Sequence, residues 1–354
     1  MESLGGLGPT LVAQLQKPTL AFLMGGMLLA ALGSRLRVPE AIHTFIVIVL
    51  LLKVGLGAGL AIRETALTDL VIPALAACTT GTIIVALGWL TLARWPGVAH
   101  VDGMATAGLF GAVSASTLAA GMGVLDADSL AYEPWIAALY PFMDLSALLV
   151  AIVLARTGRD RQTGRRVASG AAGDPGAAPP RLPESAAAHT GTGAILVDTV
   201  RSPAISALVL GLALGLFARV ETVHATFYEP LFRGLLSLLM LMMGMEAWAR
   251  LSELRKVAHA YALYALAGPL VHGLIGLMAG WAAHALTGFS PGGAVLLAVM
   301  AASSSDISGP PTLRAALPEA NPSAYVGAST GLGTPVAILS IPLWVWLAGM
   351  MMPA

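Results

Sequence analysis

Apolar residues dominate this chain in long blocks separated by short polar hinges. Ten blocks have the length of a membrane span: 18–34, 40–61, 68–93, 103–125 and 134–155, then 202–218, 230–248, 257–286, 292–314 and 322–350. A helix of about 20 apolar residues crosses the hydrocarbon of a bilayer. The pattern therefore predicts an all-α polytopic membrane protein with ten transmembrane helices. Between the fifth and sixth blocks lies GRDRQTGRRVASGAAGDPGAAPPRLPES, whose Gly, Pro, Ala, Ser and Arg cannot bury a core. It predicts a flexible linker over 157–197, joining an N-terminal five-helix unit, 1–156, to a C-terminal one, 198–354.

Two blocks break the apolar rule at mid-span. Residues 301–312 read AASSSDISGPPT and residues 108–121 read GLFGAVSASTLAAG. Gly309, Pro310 and Pro311 interrupt a helix, because neither proline carries an N–H and their rings clash with the preceding turn. Ser308 is placed to cap the helix that restarts at Pro310. In the other block Ser114, Ser116 and Thr117 supply hydroxyls around Gly111. A broken helix leaves N–H groups at one new end, which suit a small anion. It leaves carbonyls at the other, which together with hydroxyls and a carboxylate suit a hard cation such as sodium. Isolated serines here would serve close helix packing equally well. Asp306 changes the balance, since an intramembrane carboxylate is expensive and by default functional; a salt bridge within the bundle is the alternative.

The two halves echo each other. QKPTLAFLMGGMLLAALGS matches VRSPAISALVLGLALGLFA, and KVGLGAGLAIRETAL matches LMMGMEAWARLSEL. Ser116 and Thr117 fall on Ser304 and Ser305, and Pro134 on Pro322, at an offset that drifts only from 185 to 188. An odd number of spans in each half turns the second copy upside down. The expectation is two inverted five-helix repeats with broken fourth and ninth helices, the arrangement of secondary transporters that bind at the midplane. Chance similarity of Gly/Ala-rich helices explains any one pair but not four in order.

Charge orients the bundle. With the linker cytoplasmic and both termini outside, Arg35, Arg37, Arg94, the seven arginines from Arg156 to Arg201, Arg250, Arg255, Lys256 and Arg314 all lie inside. Only Lys17, Arg63, Arg219 and Arg233 then lie outside, with Lys53 within the membrane. Glu2 and the lack of a basic n-region argue against a cleaved signal peptide, so the first block stays in the membrane. The net charge is zero, which offers nothing to nucleic acid, and the single cysteine, Cys78, excludes an internal disulfide.

Magnitudes favour coupled transport. An anion entering a negative interior is opposed by about 2.3 kcal/mol per 100 mV. One sodium per monovalent anion cancels that term and adds the sodium gradient. Two such ions about 5 Å apart at an effective dielectric near 20 attract by roughly 3 kcal/mol. Lys53 either balances a carboxylate and draws the anion in, or snorkels and pairs structurally. Asp144, in YPFMDLSALL, either touches the core or pairs with a neighbour. Glu246 and Arg250 have the spacing of a structural ion pair. Thr330, Gly331 and Thr334 are candidates to complete a cation shell.

Enzyme classes find no support. There is no HExxH, no Cys/His cluster with metal-ligand spacing and no phosphate-binding loop, and GASTG lacks the pattern of a nucleophile elbow. A sodium-coupled carrier of some small anion is the leading reading. The same spacing leaves nitrate, acetate or a larger carboxylate open, with an exchanger that uses Asp306 as proton carrier or a channel as alternatives.

Longer strings point further. AASSSDISGPPTLRA, NPSAYVGAST, GTPVAI, QLQKPTLAFLMGGM, TAGLFGAVSAST, ALYPFMD, FYEPLFRGLLS and MGMEAWARLSELRKVA resemble the cyanobacterial sodium-dependent bicarbonate transporter family, SbtA, over roughly 11–156 and 198–345. The resemblance implies sodium-driven bicarbonate import across the plasma (inner) membrane for carbon concentration, with no organic cofactor. It implies a homotrimer whose core domains move against gate domains in elevator fashion. It also implies inhibition by a cytoplasmic PII-like partner, SbtB, that senses adenine nucleotides. By position, Gly111, Ala112, Ser114, Ser303 and Ser304 are expected around bicarbonate. Ser116, Ser305, Asp306, Ser308 and Thr330 are expected around sodium.

Overall fold

A computed structural model describes residues 18–170, 201, 203–251, 259–306 and 308–352. They form helices joined by turns. In chain order these are α1 Pro18–Ala31, α2 Glu40–Ile62, α3 Leu67–Leu90, α4 His100–Gly111, α5 Ala115–Ala127 and α6 Leu139–Gly170. Then come α7 Pro203–Phe217, α8 Glu229–Leu251, α9 His259–Thr287, α10 Pro291–Ala302 and α11 Gly309–Ala316. The chain ends in α12 Pro322–Ala328, α13 Thr334–Leu339 and α14 Ile341–Met351.

Each of the ten expected blocks is helical, but their lengths differ from the expectation. Among the described residues six helical stretches are long and apolar enough to cross a membrane, or seven if the pair 324–339 and 341–351, bent by 44°, is one span. The first, sixth and ninth blocks give shorter helices over 21–31, 205–217 and 291–302. For α1 the reason is local. Gly33 takes a φ of 75°, and the bonds Ser34 N to Leu29 O and Gly33 N to Ala30 O close the helix before the apolar run ends. In the ninth block the prolines impose the interruption. At the other extreme, α6 runs on to Gly170 through TGRDRQTGRRVASG, where the linker was expected to begin. Its Arg, Gln and Ala are good helix formers, so the span continues beyond its apolar part. The rest of the expected linker, 171–197, and the side chains of Glu246 and Arg250 lie outside the described residues.

Two helix groups emerge from the contacts. In the first, α2 packs along α7 and α1 along α8. Gly55 and Gly59 on α2 face Gly211 and Gly215 on α7, so closely that a methyl on Gly59 would lie 2.8 Å from Gly215 Cα. Gly26 of α1 meets the Leu241 carbonyl of α8, and Gly244 of α8 meets that of Leu23. Small residues let the backbones touch, which is how helices associate where the solvent is itself apolar. Arg63 closes this group by donating to the Leu216 and Ala218 carbonyls at the end of α7 and to Glu221, the last at 2.7 Å. Lys53 pairs with Glu229 at 3.0 Å and lies 4.3 Å over the Phe232 ring, so its structural reading is the one observed.

In the second group α3, α4 and α6 pack together, as do α9, α10 and α14, so each set contains the first half of one broken block. Glu133 anchors the start of α10: it accepts from Ser290 N at 2.6 Å and from Ser290 Oγ at 2.8 Å, while Ser290 Oγ caps the Gly293 N–H. The interior of α4, α5 and α10 is almost wholly buried, so both breaks sit inside protein and not against lipid.

The glycine crossings make a direct prediction. Gly26→Ala pushes a methyl into the Leu241 carbonyl and is expected to destabilise by about 1–3 kcal/mol. Gly25→Ala, where nothing lies within 4 Å, is expected to leave stability unchanged or to raise it by up to about 1 kcal/mol through helix propensity. Melting of the two purified variants in detergent distinguishes them.

Candidate ion-binding site

Non-helical residues 112–114 and 303–306 follow the two first half-helices and meet each other. Their backbones are tied together. The Ser305 N–H donates to the Leu109 carbonyl at 2.8 Å, satisfying one of the orphan acceptors at the end of α4. The Ser114 N–H donates to Ser303 Oγ at 2.9 Å, and that hydroxyl donates to the Met300 carbonyl at 2.7 Å. Each break is thus closed by the other, and neither would hold its shape alone.

Asp306 sits where they meet. Ser116 Oγ donates to its Oδ2 at 2.5 Å and Ser114 Oγ at 3.1 Å, while the two serine oxygens are 2.8 Å apart. Ser114 also caps α5 by accepting from the Thr117 N–H at 3.2 Å. Asp306 is partly exposed, yet its Oδ1 is enclosed and has no hydrogen-bond partner, and neither has the buried Thr117 Oγ1. His43 of α2, on the other helix group, interacts electrostatically with this carboxylate. The first turn of α5 points its unbonded N–H groups toward the break, as any helix start does.

Several expectations change in detail. Ser305 and Ser308 do not reach Asp306. They contact each other at 2.9 Å, and Ser308 Oγ donates to Asp144 Oδ2 at 3.2 Å. Ser308 precedes α11, but its side chain makes no cap bond; Ser305 Oγ takes that role by accepting from the Gly309 N–H at 2.8 Å. Ser304 Oγ lies 3.2 Å from Thr334 Oγ1, whereas Thr330 Oγ1 is buried without a partner in the wide turn Ser329–Gly333. Gly111 is required by packing: a methyl there would meet Val85, Ala147 and the Gly81 carbonyl at 2.8–3.0 Å. Ala112 is buried in extended backbone beside it.

Asp144, whose role the sequence left open, belongs to the site. It is fully buried on α6 and accepts from the Val113 N–H at 3.0 Å as well as from Ser308, so one carboxylate holds both breaks. The signal for it was the one applied to Asp306, a carboxylate inside an apolar span. Phe110, just before the first break, is clamped edge-on against Tyr264 of α9 at 5.1 Å between centroids.

Ser303→Ala removes the acceptor of a buried N–H and is expected to lower stability by about 1–3 kcal/mol. Thr79→Ala, at an exposed hydroxyl bonded within its own helix, is expected to change it little. Thermal unfolding of both variants checks this.

A search of curated proteins returns no match. The sequence signature of the Na+-dependent bicarbonate transporter superfamily matches residues 18–349, which take in both helix groups and both breaks. The chain belongs to that superfamily.

Proposed function

We propose that this protein is a sodium-driven symporter that imports bicarbonate, with both ions bound where the two broken helices cross. The observation that carries the reading is Asp306: a carboxylate linked by two serines to the opposite break, with its second oxygen enclosed and unpartnered. Oxygen ligands around a carboxylate suit a hard cation. The N–H groups opening α5 and the hydroxyls of Ser114, Ser303 and Ser304 suit a small oxyanion whose own OH can donate.

The geometry also implies why the ions travel together. Ser114 and Ser116 donate to Asp306 Oδ2, so a bicarbonate approaching these hydroxyls meets a negative charge on the same donors. A sodium ion on Asp306 offsets that charge and adds its own attraction for the anion. Sodium therefore binds first, and each ion raises the affinity of the other by the same factor. On this reading Ser116 and Asp306 belong to the cation, while Ser305 and Ser308, which face Asp144, stand outside its shell.

The pairing of α1 with α8 and of α7 with α2 is what two inverted five-helix repeats would produce. It supports ten spans, with the glycine-crossed group as gate and the helices around the breaks as the moving core. A cleft of about 700 Å³ between α2, α8 and the end of α5, lined by Lys53, Asp126, His224 and Glu229, is the external route. It reaches Met122, six residues or about 9 Å along α5 from Ser116. From the family resemblance we take the inner membrane with both termini outside, a trimer, a role in carbon concentration and inhibition by a PII-like protein.

Labelled bicarbonate uptake into proteoliposomes tests the proposal. An inward sodium gradient is expected to drive uptake, and Asp306→Asn to fold but lose the sodium-dependent part. Full activity in that variant would remove Asp306 from the mechanism, and uptake indifferent to sodium would favour a channel.

A further inference from the structure

The symport reading uses one carboxylate, but the crossing point contains two. Asp144 has no exposed surface, and no basic side chain contacts it among the described residues. Its partners are neutral: the Val113 N–H and the Ser308 hydroxyl. A buried anion with only neutral donors is poorly compensated, whether it faces protein or lipid.

Its surroundings are a set of oxygens separate from those of Asp306. Ser308 Oγ lies 3.2 Å from Oδ2, Ser305 Oγ lies 2.9 Å from Ser308, and the Tyr140 hydroxyl lies 3.5 Å from Ser308. All three side chains are buried. The spacing is loose. A hydroxyl donating to a carboxylate usually sits at 2.5–2.7 Å, as Ser116 does on Asp306 at 2.5 Å. The Tyr140 hydroxyl has one contact here, 3.5 Å to Ser308 Oγ, at the outer limit of a hydrogen bond. Hydroxyls that stand back from a buried carboxylate, with only oxygens around them, are ligands for a hard cation more than a finished hydrogen-bond network.

We propose that Asp144, Ser305, Ser308 and Tyr140 form a second sodium site, so that each bicarbonate crosses with two sodium ions and transport is electrogenic. The inference rests on the symport reading and adds its stoichiometry. Because Asp144 also holds the Val113 N–H, a cation there would bear on both breaks at once and favour the geometry in which Ser114 faces the anion. Two sodium ions per anion move one net positive charge inward, so an interior-negative potential then drives uptake as well as the sodium gradient. With one sodium the cycle would be electroneutral and blind to voltage.

Initial rates of ²²Na⁺ and H¹⁴CO₃⁻ entry, measured together in wild-type proteoliposomes with the potential clamped by potassium and valinomycin, decide the matter. The expected results are a flux ratio of two, a sigmoidal dependence on sodium, and faster uptake when the interior is made negative. In Asp144→Asn the ratio is expected to fall toward one and the voltage response to disappear. A wild-type ratio of one overturns the second site and leaves the symporter intact, whether the uptake is electroneutral or a proton takes the second place. A ratio of two that persists in Asp144→Asn also overturns the assignment. Bicarbonate uptake with no sodium entry at all would overturn the symport reading itself, a distinct outcome. Should that variant fail to fold, Tyr140→Phe, which removes only one ligand hydroxyl, carries the same test: a ratio that stays at two with unchanged sodium dependence overturns the assignment.

Discussion

The hydrogen bonds from Ser114 and Ser116 to Asp306 are the contact on which the rest of this structure depends. They join two helix breaks that are 190 residues apart in the chain, at the place where an apolar bundle is least able to tolerate a charge. A carboxylate persists there only because its surroundings answer it with directed donors, and those donors exist only because the opposite helix is also interrupted. The breaks are therefore a single feature. Either one alone would leave backbone groups unsatisfied in a low-dielectric interior.

The remaining architecture serves that crossing. Ser303 and Leu109 take up the N–H groups of the facing segment, Asp144 holds Val113 and Ser308, and Phe110 locks the end of α4 against α9. The helix group built on glycine contacts has a different character. Its backbones touch directly, so it forms a stiff unit. His43, on the stiff unit, acts on Asp306 across the boundary between the two.

Much of this could be read from the sequence. Apolar blocks located the helices, and Gly309, Pro310 and Pro311 marked one break while the Ser-Ala-Ser-Thr run marked the other. Asp306 and its serine partners on the first break were identified because a carboxylate in a span has few innocent explanations. What stayed hidden depends on tertiary direction. Nothing in the spacing of Ser305 and Ser308 says that they turn toward Asp144 on α6 and away from their neighbour Asp306. The capping role passed from Ser308 to Ser305 for the same reason, since a better acceptor drew Ser308 off. Helix lengths also escaped a purely apolar count: Gly33 ends α1 early through its backbone angle, and α6 outlasts its hydrophobic stretch because arginine and alanine continue a helix well.

Reciprocal coupling of the two ions at one carboxylate is the centre of the account, and calorimetry reads it directly. Bicarbonate would be titrated into purified protein in sodium and again in choline at matched ionic strength. An attraction of about 3 kcal/mol predicts an affinity up to roughly a hundredfold higher in sodium. Equal affinity in the two solutions would contradict the claim that sodium on Asp306 prepares the anion site.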